Sequence, residues 1–491
     1  MPNSPIPDPC TIADPSGFQP DWNFQAVREW GLGTRCAKGA AITMGTIKRQ
    51  MWLVLILLLT LTAQPVHAQL LSGLVGGGSS SSGTQGVIVR TTLGRVGLSL
   101  VCVIQGCTVV ENLDGTQNQV FLVRPNSGLL PSVLASALKL VTGIVDAEVD
   151  QVLTVPPTPP NTSAVPPSLT STYPVNYFGS VVWNGYANQP AAGIVRVDAA
   201  QDAFNVTGSG VIVADIDTGV DPNHPALKPV LLEGYDFTRN QPGGSEMNDL
   251  GPGFSDASTS SQPAAVNQYT AAMLDQQTAA MLDGAPYSAF GHGTMVLGVV
   301  HLVAPRAQLL PLKAFSSNGT GSLSNILRAI YYAAQNNADV INMSFDMTVS
   351  STELNDALSY ATSHGVVCAA SAGNDGEEEI VYPAALQKNV MGVASTNDLD
   401  QRSSFSNYGD QIVWVAAPGE EIVSTYPFGT YSSSSGTSFS SPFVAGTAAL
   451  VLSLHPGYTQ SQVAQAIAHA KWIGANMGNG RLDVYRSVAG Q

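Results

Sequence analysis

The chain has 491 residues, of which 44% are hydrophobic and 11% are charged. It is too long for one domain of ordinary size and too apolar for a disordered protein. Lysine and arginine number 20 against 35 aspartates and glutamates, a net charge of −15. Because nucleic-acid binding needs a basic surface, we expect no nucleic-acid partner.

A secretory signal peptide is predicted over residues 44–68. Two basic residues precede an apolar run at 51–63, and small residues lead to an expected cleavage after Ala68. As a helix the run spans about 20 Å, less than the roughly 30 Å of a bilayer core. We therefore expect no stable membrane anchor, with an uncleaved anchor as the alternative. Residues 1–43 show no periodic pattern, and translation is expected to begin at Met44.

A small α+β domain is predicted over residues 87–155, after a Gly/Ser-rich linker at 69–86. Strand-like runs flank one helical segment, and a domain of this size buries only a marginal core. A Pro-rich linker at 156–180 follows, extended and accessible to proteolysis. Cys102 and Cys107 either form a disulfide or are two unrelated buried thiols.

From residue 181 to residue 491, short apolar strands alternate with helices. Residues 211–216, 339–343 and 366–370 are predicted to be buried strands. This alternation is typical of βαβ units, in which helices cover both faces of a parallel sheet. We therefore predict a three-layer α/β domain with a central parallel sheet. The apolar helix at 439–454 is expected to lie in the core.

Three segments carry the residues that acyl transfer requires. Asp217 ends a buried strand, His292 stands between two glycines, and Ser438 begins the core helix. Functional groups of a parallel sheet gather beyond the carboxyl ends of its strands. A hydroxyl nucleophile needs a base to take its proton and a buried carboxylate to orient that base. We therefore expect these three residues to form a catalytic triad.

With these segments in the order Asp, His, Ser, the sequence resembles the subtilisin-type (subtilase) serine endopeptidases over about residues 190–490. The resemblance implies that Asp217 orients His292, the general base and acid, and that Ser438 is the nucleophile. Asn374, in an Ala-Gly-Asn segment, takes the role of the oxyanion donor. No cofactor is implied, and the expected substrates are proteins or peptides.

The resemblance also implies substrate contacts from Ser344, Phe345, Gly373 and Gly321. The residues after Ser344 depart from the family's Leu-Gly-Gly at the primary specificity pocket. The specificity is therefore left open between a broad peptidase and a narrow processing peptidase. A catalytically dead binding scaffold is the remaining alternative.

By the same resemblance, residues 87–155 are a propeptide that assists folding and acts as an intramolecular inhibitor. The chain is expected to cut itself between about 150 and 185. The signal peptide predicts a secreted mature enzyme, either extracellular or periplasmic.

No metal site is predicted at the family's calcium position. The calcium-binding aspartate falls on Ala226, and the loop that completes the site is missing ahead of His301. A hard cation needs six or more oxygen ligands, so tight binding is not expected there. Weak calcium binding elsewhere is left open because the chain is acidic.

Three further features depart from the family. Asp215 lies on the same strand face as Asp217, so it is either a structural acid with a partner or a perturbing like charge. Phe439 replaces a methionine common after the nucleophile, which predicts tolerance of peroxide. A tandem octapeptide at 268–283 is expected to form a surface helix, or alternatively to rim the cleft.

Overall fold

The structure is a computed structural model that describes residues 85–155, 166–250 and 285–490. The expected upstream extension, the signal peptide and most of the Gly/Ser linker lie outside the described residues. The tandem repeat at 268–283 also lies outside them.

The small N-terminal domain is an antiparallel sheet with two helices. Its elements are β1 (Val87–Thr91), α1 (Gly94–Gln105), β2 (Cys107–Asn112), a 3-10 turn (Gly115–Gln117), β3 (Val120–Pro125), α2 (Pro131–Leu138) and β4 (Ile144–Val149). The strand order is β2-β3-β1-β4, and every neighbouring pair is antiparallel. Val89, Phe121 and Leu134 lie in its core. A disulfide joins Cys102 to Cys107, which is the first of the two alternatives.

The larger domain follows. Its strands are β6 (Pro174–Tyr177), β7 (Ser180–Trp183), β8 (Ile212–Asp217), β9 (Tyr235–Asp236), β10 (Gln241–Pro242), β11 (Gln308–Lys313), β12 (Thr320–Ser322), β13 (Val340–Met343), β14 (Val367–Ser371), β15 (Met391–Thr396), β16 (Val415–Pro418), β17 (Ile422–Tyr426) and β18 (Thr430–Ser434). Strand β5 (Val152–Thr154) precedes them, at the end of the N-terminal range 87–155. The helices of the larger domain are α3 (Asn184–Ala187), α4 (Pro190–Ile194), α5 (Val197–Phe204), α6 (His292–Val303), α7 (Leu323–Gln335), α8 (Thr352–Ser363), α9 (Thr437–Leu454), α10 (Gln460–Ile467) and α11 (Val484–Ala489), with 3-10 turns at Glu246–Asp249 and Ala285–Tyr287.

The central sheet has the order β10-β9-β11-β8-β13-β14-β15-β16, and only the β9–β10 pair within it is antiparallel. Because side chains alternate along a strand, Val213 packs with α6 and α9 on one face, while Ala214 packs with α7 and α8 on the other. Helices therefore cover both faces of the sheet, and the predicted three-layer α/β fold is confirmed.

Helix α9 runs through the core. All of its residues from Thr437 to Leu452 are buried, so the prediction that an apolar helix here lies inside the protein is confirmed. Among the described residues it is also long and apolar enough to cross a membrane, but 89% of it is covered by protein. The helix begins two residues before the predicted start at Phe439.

The linker predicted over 156–180 differs from the structure in its second half. Leu169 and Tyr177 are buried in the same cluster as α6 and α9. Strand β6 pairs with β7, and the Tyr177 hydroxyl donates to the carbonyl oxygen of Leu302. The larger domain therefore begins before the predicted boundary at 181. The boundary was predicted too late because the prolines indicated a linker and the apolar residues that pack here are few.

Candidate active site

Asp217 contacts His292 directly, and Phe439, the residue after Ser438, has its ring centroid 5.6 Å from that of His292. Asp217 ends β8, His292 begins α6, and Ser438 lies in the first turn of α9. Both carboxylate oxygens of Asp217 lie 2.8 Å from Nδ1 of His292. The three residues are only 1%, 6% and 2% exposed. The carboxylate therefore holds the imidazole in one orientation in a dry environment.

The two glycines beside His292 are required by close packing. Gly293 lies against the turn after Asp217, where a Cβ would come within 2.1 Å of the Gly219 carbonyl oxygen. Gly291 has a φ of +87°, and a Cβ there would lie 2.2 Å from the Tyr426 ring. Any larger residue would push the imidazole away from its carboxylate.

Two hydrogen bonds join Ser438 to Ser344 in this structure. Its Oγ donates to the Ser344 carbonyl oxygen at 3.4 Å, and the Ser344 hydroxyl donates to the Ser438 carbonyl oxygen at 2.9 Å. The hydroxyl is therefore bonded to Ser344 and not to His292. In enzymes without substrate, catalytic hydrogen bonds are often long and form only in the complex.

Asn374 is held by the residue next to Ser438. Its Oδ1 accepts hydrogen bonds from the backbone N–H and the hydroxyl of Thr437, both at 2.9 Å. Since the oxygen is occupied, Nδ2 is the end left to donate. The N–H of Ser438 lies in the first turn of α9, where backbone donors have no acceptor within the helix. Sequence analysis missed Thr437 as the residue that orients this amide.

Comparison with known proteins gives the family of this chain. The model of the subtilase family, Peptidase_S8, matches residues 208–485. The chain belongs to the subtilase family. Thermitase from Thermoactinomyces vulgaris is 33% identical over 317 residues, covering 62% of this chain and 97% of that protein. Subtilisin NAT from Bacillus subtilis subsp. natto is 36% identical over 307 residues, covering 61% of this chain and 71% of that protein.

Among solved structures, a cold-adapted subtilisin-like serine proteinase is 29% identical, with 57% of this chain and 89% of that chain covered and a TM-score of 0.45. From the family match and the two relatives, this subtilase is a serine-type endopeptidase, as the sequence predicted.

Asp215 of this subtilase has a partner. The Asn342 amide donates to the Asp215 carboxyl at 2.9 Å and to the Ser344 hydroxyl at 3.0 Å, and it accepts from Ser441 at 2.8 Å. Burial, and next the charge of Asp217, raise the pKa of Asp215 well above its usual range. Asp215 therefore has the partner that the first alternative required, and it also interacts with the like charge of Asp217, as the second alternative stated.

Of the four predicted substrate-binding residues, only Ser344 and Gly373 lie next to Ser438 or Asn374, and the burial of Phe345 leaves its side chain no surface for a substrate. Ser344 contacts Ser438 directly, and Gly373, with a φ of +95°, precedes Asn374. Phe345 is fully buried, and its ring centroid lies 5.2 Å from that of Phe315. Gly321 lies in β12 and pairs with Leu153 in the N-terminal part of the chain.

The Asp346 carboxyl, two residues after Ser344, lies close to Gly373. Oδ2 of Asp346 is buried and has no hydrogen-bond partner among the described residues. A Cβ on Gly373 would lie 3.4 Å from that oxygen. Burial raises the pKa of Asp346 to about 7, and the charges of Asp375 and Glu379 add to this effect.

The residues at the family's calcium position do not suit a hard cation. Ala226 presents a buried methyl group, and its N–H donates to Nδ1 of His224 at 3.2 Å. Nδ1 of His301 is hydrogen-bonded to the Tyr186 hydroxyl at 2.8 Å. Burial lowers the pKa of both histidines to about 4. Within the described ranges, no group of three or more His, Cys, Asp or Glu side chains is arranged to hold a metal ion.

Proposed function

We propose that this subtilase is made as a secreted, self-processing precursor that hydrolyses proteins or peptides through an acyl-enzyme on Ser438. Secretion is supported by the signal-peptide pattern at 44–68. The catalytic assignment is supported by the contact between Asp217 and His292, which leaves Nε2 of the imidazole to take the hydroxyl proton.

The reaction follows from these positions. Ser438 Oγ attacks the substrate carbonyl carbon while His292 takes its proton. The negative charge on the carbonyl oxygen is stabilised by Nδ2 of Asn374 and the N–H of Ser438. His292 then gives the proton to the leaving amine, and the C–N bond breaks. Water, deprotonated by the same imidazole, releases the acid product and restores the hydroxyl.

The observation that carries the precursor proposal is a strand of the N-terminal segment paired with a strand of the larger domain. Strand β5 lies antiparallel on β12, with Leu153 opposite Gly321. The N–H of Val155 donates to the Gly319 carbonyl oxygen at 2.8 Å. Main-chain pairing of this kind is how an extended peptide binds to an exposed strand. The N-terminal segment therefore covers backbone that a substrate would use.

Two acids of the small domain bind the starts of two helices of the larger domain. Asp150 accepts from the backbone N–H and hydroxyl of Ser324, at 2.9 and 2.7 Å, in the first turn of α7. Glu148 accepts from the Ser351 hydroxyl and from the Thr352 N–H, the latter at 3.2 Å, at the start of α8. Carboxylates stabilise helix N-termini by about 1 kcal/mol each.

An ion pair completes this contact. The Arg90 guanidinium donates to both carboxylate oxygens of Glu353, at 3.1 and 2.6 Å. The Glu353 side chain is almost fully buried. Removing one partner of a buried pair costs about 3–5 kcal/mol, because the other charge is left uncompensated. These contacts support the role of residues 87–155 as an intramolecular inhibitor.

The proposal is tested with the full chain and Ser438→Ala. Wild-type protein is expected to convert to a shorter form whose new N-terminus, read by mass spectrometry, lies between about 150 and 185. The variant is expected to remain uncut. A fluorophosphonate probe is expected to label Ser438 only after conversion. Conversion of purified Ser438→Ala at the wild-type rate would contradict self-processing. Absence of labelling in converted protein would point to the dead scaffold.

Asp346 favours the narrow processing peptidase as a second candidate. Its buried carboxyl oxygen, close to Gly373, lacks a donor that a substrate side chain would supply. We expect cleavage after residues with N–H donors, namely lysine, arginine, asparagine or glutamine. A peptide library should show this preference in the wild type and lose it in Asp346→Gly. An unchanged profile would favour the broad peptidase.

A further inference from the structure

A fully buried glutamate that sequence analysis did not single out lies beside the catalytic pair. Glu246 begins the 3-10 turn Glu246–Asp249, within the segment between Asp217 and His292. Its backbone N–H donates to the Val220 carbonyl oxygen at 3.1 Å. The turn is therefore fixed against the chain that leaves β8.

The Glu246 carboxyl contacts both parts of the site. Oε2 accepts from the Gly291 N–H at 2.7 Å and from the Thr218 hydroxyl at 3.2 Å. Oε1 is hydrogen-bonded to the Thr294 hydroxyl. The Thr218 oxygen in turn accepts from the Gly293 N–H at 3.0 Å. One carboxyl thus joins the residue after Asp217 to the residues on each side of His292.

We propose that Glu246 is a positioning residue that fixes the distance between Asp217 and His292. The proposal rests on the catalytic roles given above to those two residues. Glu246 does not contact the substrate or the reacting atoms. It acts by holding Thr218 and the first turn of α6 together, since these carry the carboxylate and the imidazole. A misplacement of about 1 Å at such a site reduces the rate by on the order of 100-fold.

A second anchor supports the same turn. The Lys313 ammonium is fully buried and donates to the carbonyl oxygens of Thr218 and Phe315, both at 2.7 Å. It also pairs with the Asp249 carboxylate at 2.8 Å. The turn Glu246–Asp249 is therefore joined at both ends to the chain around Asp217, and its place in the site does not depend on one contact.

Burial and the neighbouring groups together determine the protonation of Glu246. Burial raises the pKa of Glu246 to about 8; Thr294, Gly291 and Lys313 oppose this effect, and the charge of Asp217 adds to it. The ionisable groups that interact with it are Asp217 and Asp215 on β8 and Lys313 on β11. The segments packed against it also carry Asp221, bound to Thr294, His292, at the start of α6, and Asp249, paired with Lys313. Glu246 is therefore mostly neutral below pH 7 and becomes charged as the pH rises through 8.

The test compares Glu246→Ala and Glu246→Gln in the full chain after conversion. Active sites are counted with the fluorophosphonate, and kcat and KM are measured per counted site. Glu246→Ala is expected to lower kcat at least about tenfold with KM within about twofold. Glu246→Gln is expected to restore kcat to within about threefold at pH 6.5, because the amide resembles the neutral carboxyl.

The pH profile tests the charge of Glu246, an effect that a role in stability alone would not produce. The ratio of kcat/KM between wild type and Glu246→Gln is expected to be constant below pH 7 and to rise through pH 8. The reason is that the ionised carboxylate stabilises the imidazolium formed when His292 takes a proton. Asp236→Asn, which changes a buried acid bound to Thr238 and Arg239, is the control. It is expected to lower Tm without changing kcat per site.

A kcat of Glu246→Ala within twofold of wild type would overturn the proposal. If that variant does not fold, Thr218→Val removes the hydroxyl that joins Glu246 to Gly293, and an unchanged kcat per site would overturn the proposal equally. A pH-independent ratio for Glu246→Gln would refute the charge argument. If the wild type itself is never labelled, the proposed function fails instead, so the two failures are distinguishable.

Discussion

The orientation of Asn374 by Thr437 leads to a quantitative prediction. Two donors hold Oδ1 of Asn374, the N–H and the hydroxyl of Thr437, each at 2.9 Å. Thr437→Val removes the hydroxyl and keeps both the backbone donor and the shape of the side chain. A neutral hydrogen bond contributes about 1 kcal/mol net. If that energy is lost from the transition state, kcat falls about fivefold.

The assay is kcat at saturating peptide, per active site counted with a fluorophosphonate. Thr437→Ser keeps the hydroxyl and is expected to retain most of the activity. Asn374→Ala removes the donor itself, for which losses of about 10²–10³ in kcat are known in the subtilisin family. A Thr437→Val enzyme with wild-type kcat would refute the argument that this hydroxyl orients the amide. A loss as large as that of Asn374→Ala would refute the estimated magnitude.

Three other predictions follow from the site. Asp217→Asn should lower kcat by about 10⁴ through the wrong imidazole tautomer, whereas Asp215→Asn should retain at least about a tenth of the activity per counted site; the opposite ranking would overturn both assignments. Because Ala226 offers no carboxylate, adding calcium after chelation should move Tm by less than about 2 °C, and a large rise would contradict this. The buried Phe439 ring lies 5.6 Å from the His292 ring, so dilute peroxide should inactivate Phe439→Met faster than the wild type, and equal rates would count against the prediction.

The parts of the fold that depend on local pattern were predictable. Strands β8, β13 and β14 are short apolar runs, and each was predicted to within about a residue because buried parallel strands leave few polar positions. The contact between Asp217 and His292 was predictable for a related reason. Close contacts leave no room for a Cβ on either side of His292, so a glycine is needed at both positions and the pattern is visible in the sequence.

Other features depend on contacts that no local pattern records. Helix α1 was missed because apolar residues such as Val96 and Val103 lie on its exposed side and hide its periodicity. Strand β2 was missed along with it. Glu246 was missed since its importance arises only when its turn packs against α6. The role of Thr437 was missed because Asn374, the residue to which its hydroxyl donates, is distant in the sequence.

The helices that bind the acids of the small domain also have N-caps of their own. The Ser322 hydroxyl accepts from the Asn325 N–H at the start of α7, and Ser351 accepts from the Leu354 N–H at the start of α8. Departure of Glu148 and Asp150 therefore leaves both helices capped. If the small domain is removed, the N-termini of α7 and α8 are therefore expected to stay folded. In the maturation that we propose, the contacts of Glu148 and Asp150 are lost while the local N-cap bonds of Ser322 and Ser351 are kept.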